Sequence, residues 1–277
     1  MMIITHSIDE LKAALKNMDE VALVPTMGYL HEGHLTLINA ARQSKKPVVA
    51  SIFVNPLQFG PNEDFERYPR SFEADCEKLK KAGVSVVFAP TPDVLYPQPQ
   101  TCFVDPTSQH DLLEEKSRPG HLTGVATIVM KLFHLICPSI AFFGKKDYQQ
   151  LSMIRNMVME LNMDIEIIGI DTVREKDGLA MSSRNAYLTE EERKEAPFLY
   201  YTLQGIRQCI LERNDKYAAL IENATNQLTQ RRWKVDYIAI RPQNQLQSEP
   251  STSEALVILA AARLGNTRLI DNIEVNV

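Results

Sequence analysis

The chain has little cysteine and no long apolar run, and both shortages exclude classes of protein. Its four cysteines are far apart and form no Cys-x-x-Cys pair, which argues against a disulfide framework and predicts a reducing, cytoplasmic setting. No run of about 18 apolar residues is present, so we expect no membrane-spanning helix. The N-terminus lacks a basic segment followed by an apolar one, so we expect no secretory signal.

Basic residues are also fewer than acidic residues. The 277 residues include 30 Lys+Arg and 35 Asp+Glu, a formal net charge of −5. Nucleic-acid-binding domains are usually basic, so no nucleic-acid partner is expected. Apolar residues make up 44% and charged residues 23% of the chain, a composition typical of a globular enzyme. The length exceeds the usual single-domain size and predicts two domains.

Short apolar runs alternate with helical patterns through the first two thirds of the chain. Buried strands are predicted at residues 21–25, 48–54, 84–89, 140–143 and 165–170. Helices are predicted at residues 35–44, from Pro69 to Gly83, at 123–136 and at 149–161. Near-continuous apolar strands suit a parallel sheet covered on both faces. The alternation therefore predicts a doubly wound α/β sheet that binds ligands at the carboxyl ends of its strands.

Beyond residue 171 the pattern changes to helices followed by strands. Residues 189–192 form a capping box that opens a helix towards residue 212, and a second helix is predicted at 216–231. Strands are predicted at residues 235–241, 256–261 and 268–274. We therefore expect a first domain of residues 1–172 and a smaller α+β domain of residues 173–277.

The run Pro-Thr-Met-Gly-Tyr-Leu-His-Glu-Gly-His at residues 25–34 is the most informative stretch. It joins a predicted strand to a predicted helix, and the N-terminus of a helix attracts phosphate. There His31 and His34 can hydrogen-bond a triphosphate, and Gly33 lets the backbone approach it. The pattern predicts nucleotidyl transfer, with two histidines at an ordinary turn as the alternative. A zinc site is not favoured, because no third ligand cluster stands nearby.

Two more loops carry groups that suit phosphate. Residues 144–147, Gly-Lys-Lys-Asp, follow the predicted strand 140–143 and can hold phosphates and a ribose, or form a solvated loop. Residues 181–184, Met-Ser-Ser-Arg, predict a mobile clamp that excludes water, with a plain inter-domain turn as the alternative. Gln58 follows the strand 48–54, and its amide can read the hydroxyl and carboxylate of a hydroxy acid.

Taken together, these segments closely resemble the pantothenate synthetase (pantoate–β-alanine ligase) family. The matching segments, in the family's order, are residues 25–35, 51–70, 118–129, 143–151, 172–188 and 268–275. The resemblance implies ATP-dependent adenylation of (R)-pantoate, followed by attack of the β-alanine amine to give pantothenate and AMP. It also implies a Rossmann-like fold of the HIGH-type nucleotidyltransferases, with residues 181–184 as the KMSKS-type loop, and a homodimer.

The resemblance also implies roles for individual residues. The implied ATP-binding residues are Met27, Gly28, Tyr29, Leu30, His31, Glu32, Gly33, His34, Gly144, Lys145, Lys146, Asp147, Val173, Met181, Ser182, Ser183 and Arg184. Within that set His34, His31, Lys146 and Arg184 are implied to be catalytic. Gln58 and Gln150 are implied to hold pantoate, Gln58 also lying near β-alanine. Asp75 is implied to neighbour Mg²⁺.

Three residues depart from the family's pattern. Tyr29 replaces a residue that is usually small, Lys145 one that is usually acidic or neutral, and Leu122 a usual Phe. We expect Tyr29 to narrow the adenine side and Lys145 to alter ATP affinity. Two other hypotheses compete with the ligase. One is another HIGH-type nucleotidyltransferase that releases an adenylylated product, and the other is a non-catalytic nucleotide- or RNA-binding module.

Overall fold

The computed structural model describes residues 2–61, 63–213, 216–251 and 255–276. The chain divides into two compact units, each assembled from three segments. The first unit contains Met1–His110, Arg118–Lys145 and Gln150–Asp171, and the second contains Asp111–Ser117, Lys146–Gln149 and Thr172–Val277. The single predicted boundary after residue 172 does not account for the two short segments of the second unit, Asp111–Ser117 and Lys146–Gln149. The domain limits given above stay a prediction.

The helices and strands of the described residues follow in chain order. The strands are β1 Ile3–Thr5, β2 Ala22–Thr26, β3 Val48–Ile52, β4 Val86–Phe88, β5 Ile140–Gly144, β6 Glu166–Ile170, β7 Lys234–Pro242, β8 Leu256–Leu264 and β9 Thr267–Val275. The α-helices are α1 Ile8–Leu15, α2 Glu32–Gln43, α3 Phe72–Lys81, α4 Pro92–Leu95, α5 Leu113–Ser117, α6 His121–Ile136, α7 Tyr148–Glu160, α8 Glu190–Glu195, α9 Phe198–Leu211 and α10 Tyr217–Gln230. Among the described helices none is long and apolar enough to cross a membrane.

The first unit is built on a parallel sheet. Over the described residues it has six strands in the order β1-β4-β3-β2-β5-β6. From β2 the chain order proceeds through β3 and β4 on one side and through β5 and β6 on the other. The topological switch point therefore lies between β2 and β5, where doubly wound sheets bind ligands. The predicted Rossmann-like α/β class is confirmed.

Both faces of this sheet are covered, which explains the apolar strands. Leu23 of β2 packs in one buried cluster with residues of α6 and α7. Val24, the next residue, points to the other face and packs in a second cluster with residues of α2 and α3. Each of these β2 residues thus has apolar neighbours on its own side, as a parallel sheet between two helical layers requires.

The second unit contains an antiparallel sheet of β7, β8 and β9, in that order. One face packs in a cluster with residues of α9 and α10. Val257 and Leu259 of β8 lie in a separate cluster with Tyr148 and Leu246. The predicted smaller α+β part is confirmed in class.

Two predicted helices differ from the structure, and two elements near the N-terminus were missed. The helix predicted from residue 189 to 212 is two helices, α8 and α9, because Pro197 interrupts it. The helix predicted to open at Pro69 begins at Phe72. Strand β1 and helix α1 were not predicted, since three and eight residues give little periodic signal. The capping box at Thr189 and Glu192 is confirmed.

Candidate active site

The loop after β2 enters the site through an unusual turn. Gly28 has φ +82° and Tyr29 has φ +51°, both in the left-handed region that favours glycine. The Gly28 N–H donates to Thr26 Oγ1 at 3.2 Å. A Cβ on Gly28 would lie 3.1 Å from Ile52 Cγ2, so the position is tight as well as left-handed. The turn carries the chain from the end of β2 to the start of α2.

Helix α2 begins with two histidines in place of the usual capping residues. His31 is the N-cap, and its Nδ1 accepts the Gly33 N–H at 3.2 Å. In return, His34 Nδ1 accepts the His31 N–H at 3.2 Å. This is a capping box made of imidazoles, with ring centroids 4.1 Å apart. Because only an unprotonated ring nitrogen accepts a hydrogen bond, the proton of each neutral ring lies on Nε2.

Asp75, which the resemblance places next to Mg²⁺, binds the backbone of this turn. It is fully buried on α3, and its two oxygens accept the N–H groups of Tyr29 at 2.7 Å and Leu30 at 2.8 Å. Its carboxylate therefore shapes the turn, and a place next to Mg²⁺ stays a prediction. Within the described part of the chain, no group of three or more His, Cys, Asp or Glu side chains is placed to hold a metal ion.

Gln58 lies beside the same turn. It ends a short 3₁₀ segment, Pro56–Gln58, that Asn55 caps. Its Nε2 donates to Met27 Sδ at 3.2 Å, so a predicted pantoate residue contacts a predicted ATP residue. Asn55, 1% exposed, donates to Gln58 Oε1 at 3.2 Å and to the Gly124 carbonyl at 3.1 Å. The amide of Gln58 is therefore oriented by a buried neighbour.

Helix α6 fixes the backbone of this segment. A Cβ on Gly124 would lie 2.2 Å from the Leu57 carbonyl oxygen, so only glycine permits the observed approach. At the start of the helix, the Gln58 carbonyl contacts His121 Nδ1 at 2.8 Å and accepts from Arg118 Nη2 at 3.3 Å. Glycine at position 124 is visible in the sequence, but its packing partner lies far away along the chain.

Arg118 is itself held by a carboxylate. Its Nε and Nη2 donate to the two oxygens of Glu63 at 2.6 and 2.5 Å. Burial acts to raise the pKa of Glu63, but the hydrogen bonds and charge of Arg118 outweigh it and lower that pKa below its usual value. The Glu63 carboxylate therefore stays ionised at neutral pH, and it keeps the Arg118 guanidinium against the Gln58 carbonyl.

The junction after β5 is divided between the two units. Gly144 ends β5, and Lys145 pairs with Asp171 at 2.7 Å in the first unit. Lys146 and Asp147 belong to the second unit, with Lys146 Nζ 4.0 Å from Asp147 Oδ2. Gln150 lies in the first turn of α7 and in the first unit.

Residues 173–181 form a hairpin in the second unit that leads into the predicted clamp. The Met181 N–H donates to the Val173 carbonyl at 3.0 Å, which joins two predicted ATP residues. Ser182 then caps a 3₁₀ helix, Ser183–Tyr187, by accepting the Arg184 N–H at 3.2 Å. Ser183 is buried. Residues 181–184 thus lead from the hairpin directly into this 3₁₀ helix.

Strand β9 contacts both segments of the second unit that are predicted to bind ATP. Arg174 of the hairpin donates to both oxygens of the buried Asp271, at 2.7 and 2.9 Å. Its guanidinium stacks 3.7 Å from the centre of the Tyr200 ring. The next residue of the strand, Asn272, donates from Nδ2 to the Lys146 carbonyl at 2.8 Å. Burial raises the pKa of Asp271 although Arg174 opposes that shift.

The structure therefore groups the predicted residues in two sets. In the first unit the turn Met27–His34 lies with Gln58, and in the second the hairpin that carries Val173 and Met181 is tied to the strand that holds Lys146. The sequence interpretation missed the residues that anchor them: Asn55, Gly124, Arg174, Asp271 and Asn272. The segment 268–275 was a signal for two of these, because it matched the family although no role was assigned to it.

Comparison with known proteins gives full-length matches. The family model described as pantoate-beta-alanine ligase matches residues 3–274. The pantothenate synthetase of Thiobacillus denitrificans is 52% identical over 275 residues, which cover 99% of this chain and 97% of that protein. That of Neisseria meningitidis serogroup B is 50% identical, with 99% of each chain covered.

Solved structures agree in fold. The crystal structure of the pantoate-beta-alanine ligase (pantothenate synthetase) from Thermus thermophilus matches with a TM-score of 0.90 and 42% identity, covering 99% of both chains. The pantoate-beta-alanine ligase from Francisella tularensis, solved with beta-gamma ATP and beta-alanine, matches with a TM-score of 0.84 and 33% identity. It covers 99% of this chain and 97% of that one.

Proposed function

Because the chain belongs to the pantoate–β-alanine ligase family, we propose that it condenses (R)-pantoate with β-alanine in a reaction driven by ATP. The products are pantothenate, AMP and pyrophosphate, and pantoyl adenylate is the intermediate. The family match over residues 3–274 is the observation that carries this proposal. The relative solved with beta-gamma ATP and beta-alanine supports the identity of two of the three substrates.

The first step is adenylation. A carboxylate oxygen of pantoate attacks the α-phosphorus of ATP, the bond from that phosphorus to the bridging oxygen breaks, and pyrophosphate leaves. Both reactants are anions, so their approach requires nearby cations and hydrogen-bond donors. Holding them in line replaces a bimolecular encounter, which can lower the barrier by about 7–11 kcal/mol.

The second step forms the amide. The neutral amine of β-alanine attacks the acyl carbon of pantoyl adenylate, the bond from that carbon to the phosphate oxygen breaks, and AMP leaves. The nitrogen releases one proton to solvent as the amide forms. Water would compete with the amine for the same carbon, so a site that excludes water favours the ligase reaction.

Residue roles follow from position and chemistry. We propose that His31 and His34 donate from Nε2 to the phosphates, because their Nδ1 atoms are engaged by the backbone. Charge grows on the departing pyrophosphate, and donors aimed there act most strongly in the transition state. The remaining residues implied for ATP are proposed to bind it, with Lys146 and Arg184 as the phosphate cations and Asp147 on the ribose side. Gln58 and Gln150 are proposed to hold pantoate, with Gln58 also near β-alanine.

We propose that Mg²⁺ enters as the Mg-ATP complex. Magnesium is commonly bound by substrate phosphates with one or two carboxylates. The phosphates are proposed to carry the ion, because Asp75, the predicted carboxylate, already accepts two backbone N–H groups. A homodimer and a cytoplasmic location also remain part of the proposal.

The test is an incubation with Mg-ATP, pantoate and β-alanine. We expect pantothenate and AMP in equal amounts, and pyrophosphate exchange into ATP that requires pantoate but not β-alanine. Exchange without later amide formation would indicate the alternative nucleotidyltransferase, which the family match does not favour. ATP binding with no AMP under these conditions would overturn the proposed function.

A further inference from the structure

Two side chains of α3 bind the backbone of the turn between β2 and α2. Asp75 takes two consecutive N–H groups, those of Tyr29 at 2.7 Å and Leu30 at 2.8 Å, on separate oxygens. Lys78, one helical turn later, donates from Nζ to the Leu30 carbonyl at 2.6 Å. Together these side chains bind the N–H groups of Tyr29 and Leu30 and the carbonyl of Leu30.

The turn needs this support, because its backbone is unfavourable in isolation. Tyr29 has φ +51°, a conformation that a side chain with Cβ disfavours. Such residues persist only where the surroundings determine them. Two consecutive N–H groups also form a ready anion site, and the buried carboxylate already fills it. The turn is therefore formed before a phosphate arrives.

We propose that Asp75 and Lys78 are positioning residues that set the ATP-binding turn and thereby aim His31 and His34. The inference rests on the proposed function. Asp75 acts through the backbone of Tyr29 and Leu30, and not through a metal. Its removal should loosen the turn, weaken ATP use and leave the requirement for magnesium unchanged.

The direct test is amide hydrogen exchange. In Asp75→Asn an amide nitrogen faces one of the two N–H groups, so that hydrogen bond is lost while the side-chain volume is kept. We expect amide exchange at Tyr29 and Leu30 to accelerate at least about tenfold. Loss of one hydrogen bond lowers the free energy of local opening enough to give this change. Glu77→Gln, an exposed site on the same helix, is the matched control and should leave exchange there unchanged. Unchanged protection in Asp75→Asn would overturn the proposal.

A magnesium titration separates positioning from metal binding. For Asp75→Asn we expect the KM for ATP in pyrophosphate exchange to rise about tenfold, at every saturating magnesium concentration. The KM for β-alanine, measured with pantoyl adenylate supplied, should change far less. Restoration of the wild-type KM for ATP by higher magnesium would assign Asp75 to the metal and overturn the positioning role.

A milder pair of variants covers the case in which Asp75→Asn does not fold. Lys78→Met removes the ammonium but keeps the apolar stem, and the exposed Lys80→Met serves as its control. We expect Lys78→Met to raise the KM for ATP and the exchange rate of the turn, and Lys80→Met to do neither. An inactive wild type would defeat the proposed function. An active wild type with unaffected Lys78→Met would defeat this inference alone.

Discussion

At the scale of single residues, the two histidines cap a helix and are also the residues proposed to donate to the phosphates. A capping box is usually built from Ser or Thr with Glu or Gln, and here His31 and His34 fill both positions. Each ring engages the backbone through Nδ1 and keeps its proton on Nε2. The motif therefore fixes the donor atoms that a polyphosphate would meet.

This double role can be separated by substitution at His34. We expect His34→Ala to lower turnover roughly 10²–10³-fold, as for deletion of one donor to a developing anion, with a smaller effect on ATP affinity. It should also destabilise the protein by about 0.5–2 kcal/mol through the lost cap. His34→Gln can still accept the His31 N–H, so it should recover stability but not turnover. Pyrophosphate exchange and thermal unfolding measure the two effects. Full turnover in either variant would refute the role.

Arg174 offers a second test at this scale. Its planar guanidinium meets both oxygens of Asp271 and stacks on Tyr200, contacts that lysine cannot reproduce. We expect Arg174→Lys to raise the KM for ATP about tenfold, since a hydrogen bond to a charged group is lost near the clamp. Arg193→Lys is the control, because Arg193 pairs with Asp177 of the same hairpin at a more exposed position. Equal effects in both variants would contradict a specific role for Arg174.

What the sequence could reveal depends on distance along the chain. His31 and His34 could be predicted because their motif is local and joins a strand to a helix. Asp271 could not, since its partner Arg174 is 97 residues away. The resemblance placed Asp75 next to Mg²⁺, and a carboxylate in a sequence shows no sign of the backbone groups that it binds.

At the scale of elements, the contact between α6 and Pro56–Gln58 is a tight one that bears on the site. The two backbones meet where Gly124 lacks a side chain, with the Leu57 carbonyl oxygen 2.2 Å from a Cβ added there. The strands and helices of the first unit could largely be predicted from their apolar periodicity. The close contact of α6 with Pro56–Gln58 could not be predicted, because periodicity shows which face of a helix is buried and not which backbone it packs against.

We expect Gly124→Ala to destabilise the protein by about 1–3 kcal/mol through overpacking and to raise the KM for pantoate by moving Gln58. Gly205 of α9 is the matched control, since a Cβ there meets no atom within 4 Å. Gly205→Ala should stabilise the protein by about 0.5–1 kcal/mol, because alanine favours a helix more than glycine does. Denaturant unfolding compares the two variants. A neutral Gly124→Ala would show that α6 can move away without cost.

At the scale of the whole molecule, several paired carboxylates make stability depend on acid. The hydrogen bond from His110 lowers the pKa of Asp105, that from Arg193 lowers the pKa of Asp177, and that from Arg231 lowers the pKa of Glu195. The hydrogen bonds from Arg118 likewise lower the pKa of Glu63. A carboxyl whose pKa is lower in the folded state stabilises that state above its unfolded pKa. The contribution is lost as pH falls through the folded pKa. Asp271, with a raised pKa, has the opposite sign and offsets part of this effect.

We therefore expect the thermal midpoint to fall as the pH drops below about 4.5, the ordinary pKa of Glu63. Glu63→Gln should lower the midpoint at pH 7, and its difference from wild type should shrink as the pH falls below the ordinary pKa of the carboxyl and the wild-type side chain also loses its charge. The exposed Glu222→Gln is the control and should follow wild type throughout. A constant difference across this range would contradict the assignment. Calorimetry over pH supplies the measurement.

The interleaving of the two units has a consequence for how the protein can be made. The first unit is complete once Asp171 has been synthesised, so it can fold on the ribosome while later residues are still being added. Helix α5 must wait, because its Glu114 pairs with Arg268 at 2.8 Å, 154 residues downstream. A gene cut after codon 171 would therefore yield a C-terminal fragment in which Arg268 keeps Asp236 but lacks Glu114, so a split version of this enzyme should be cut at another position.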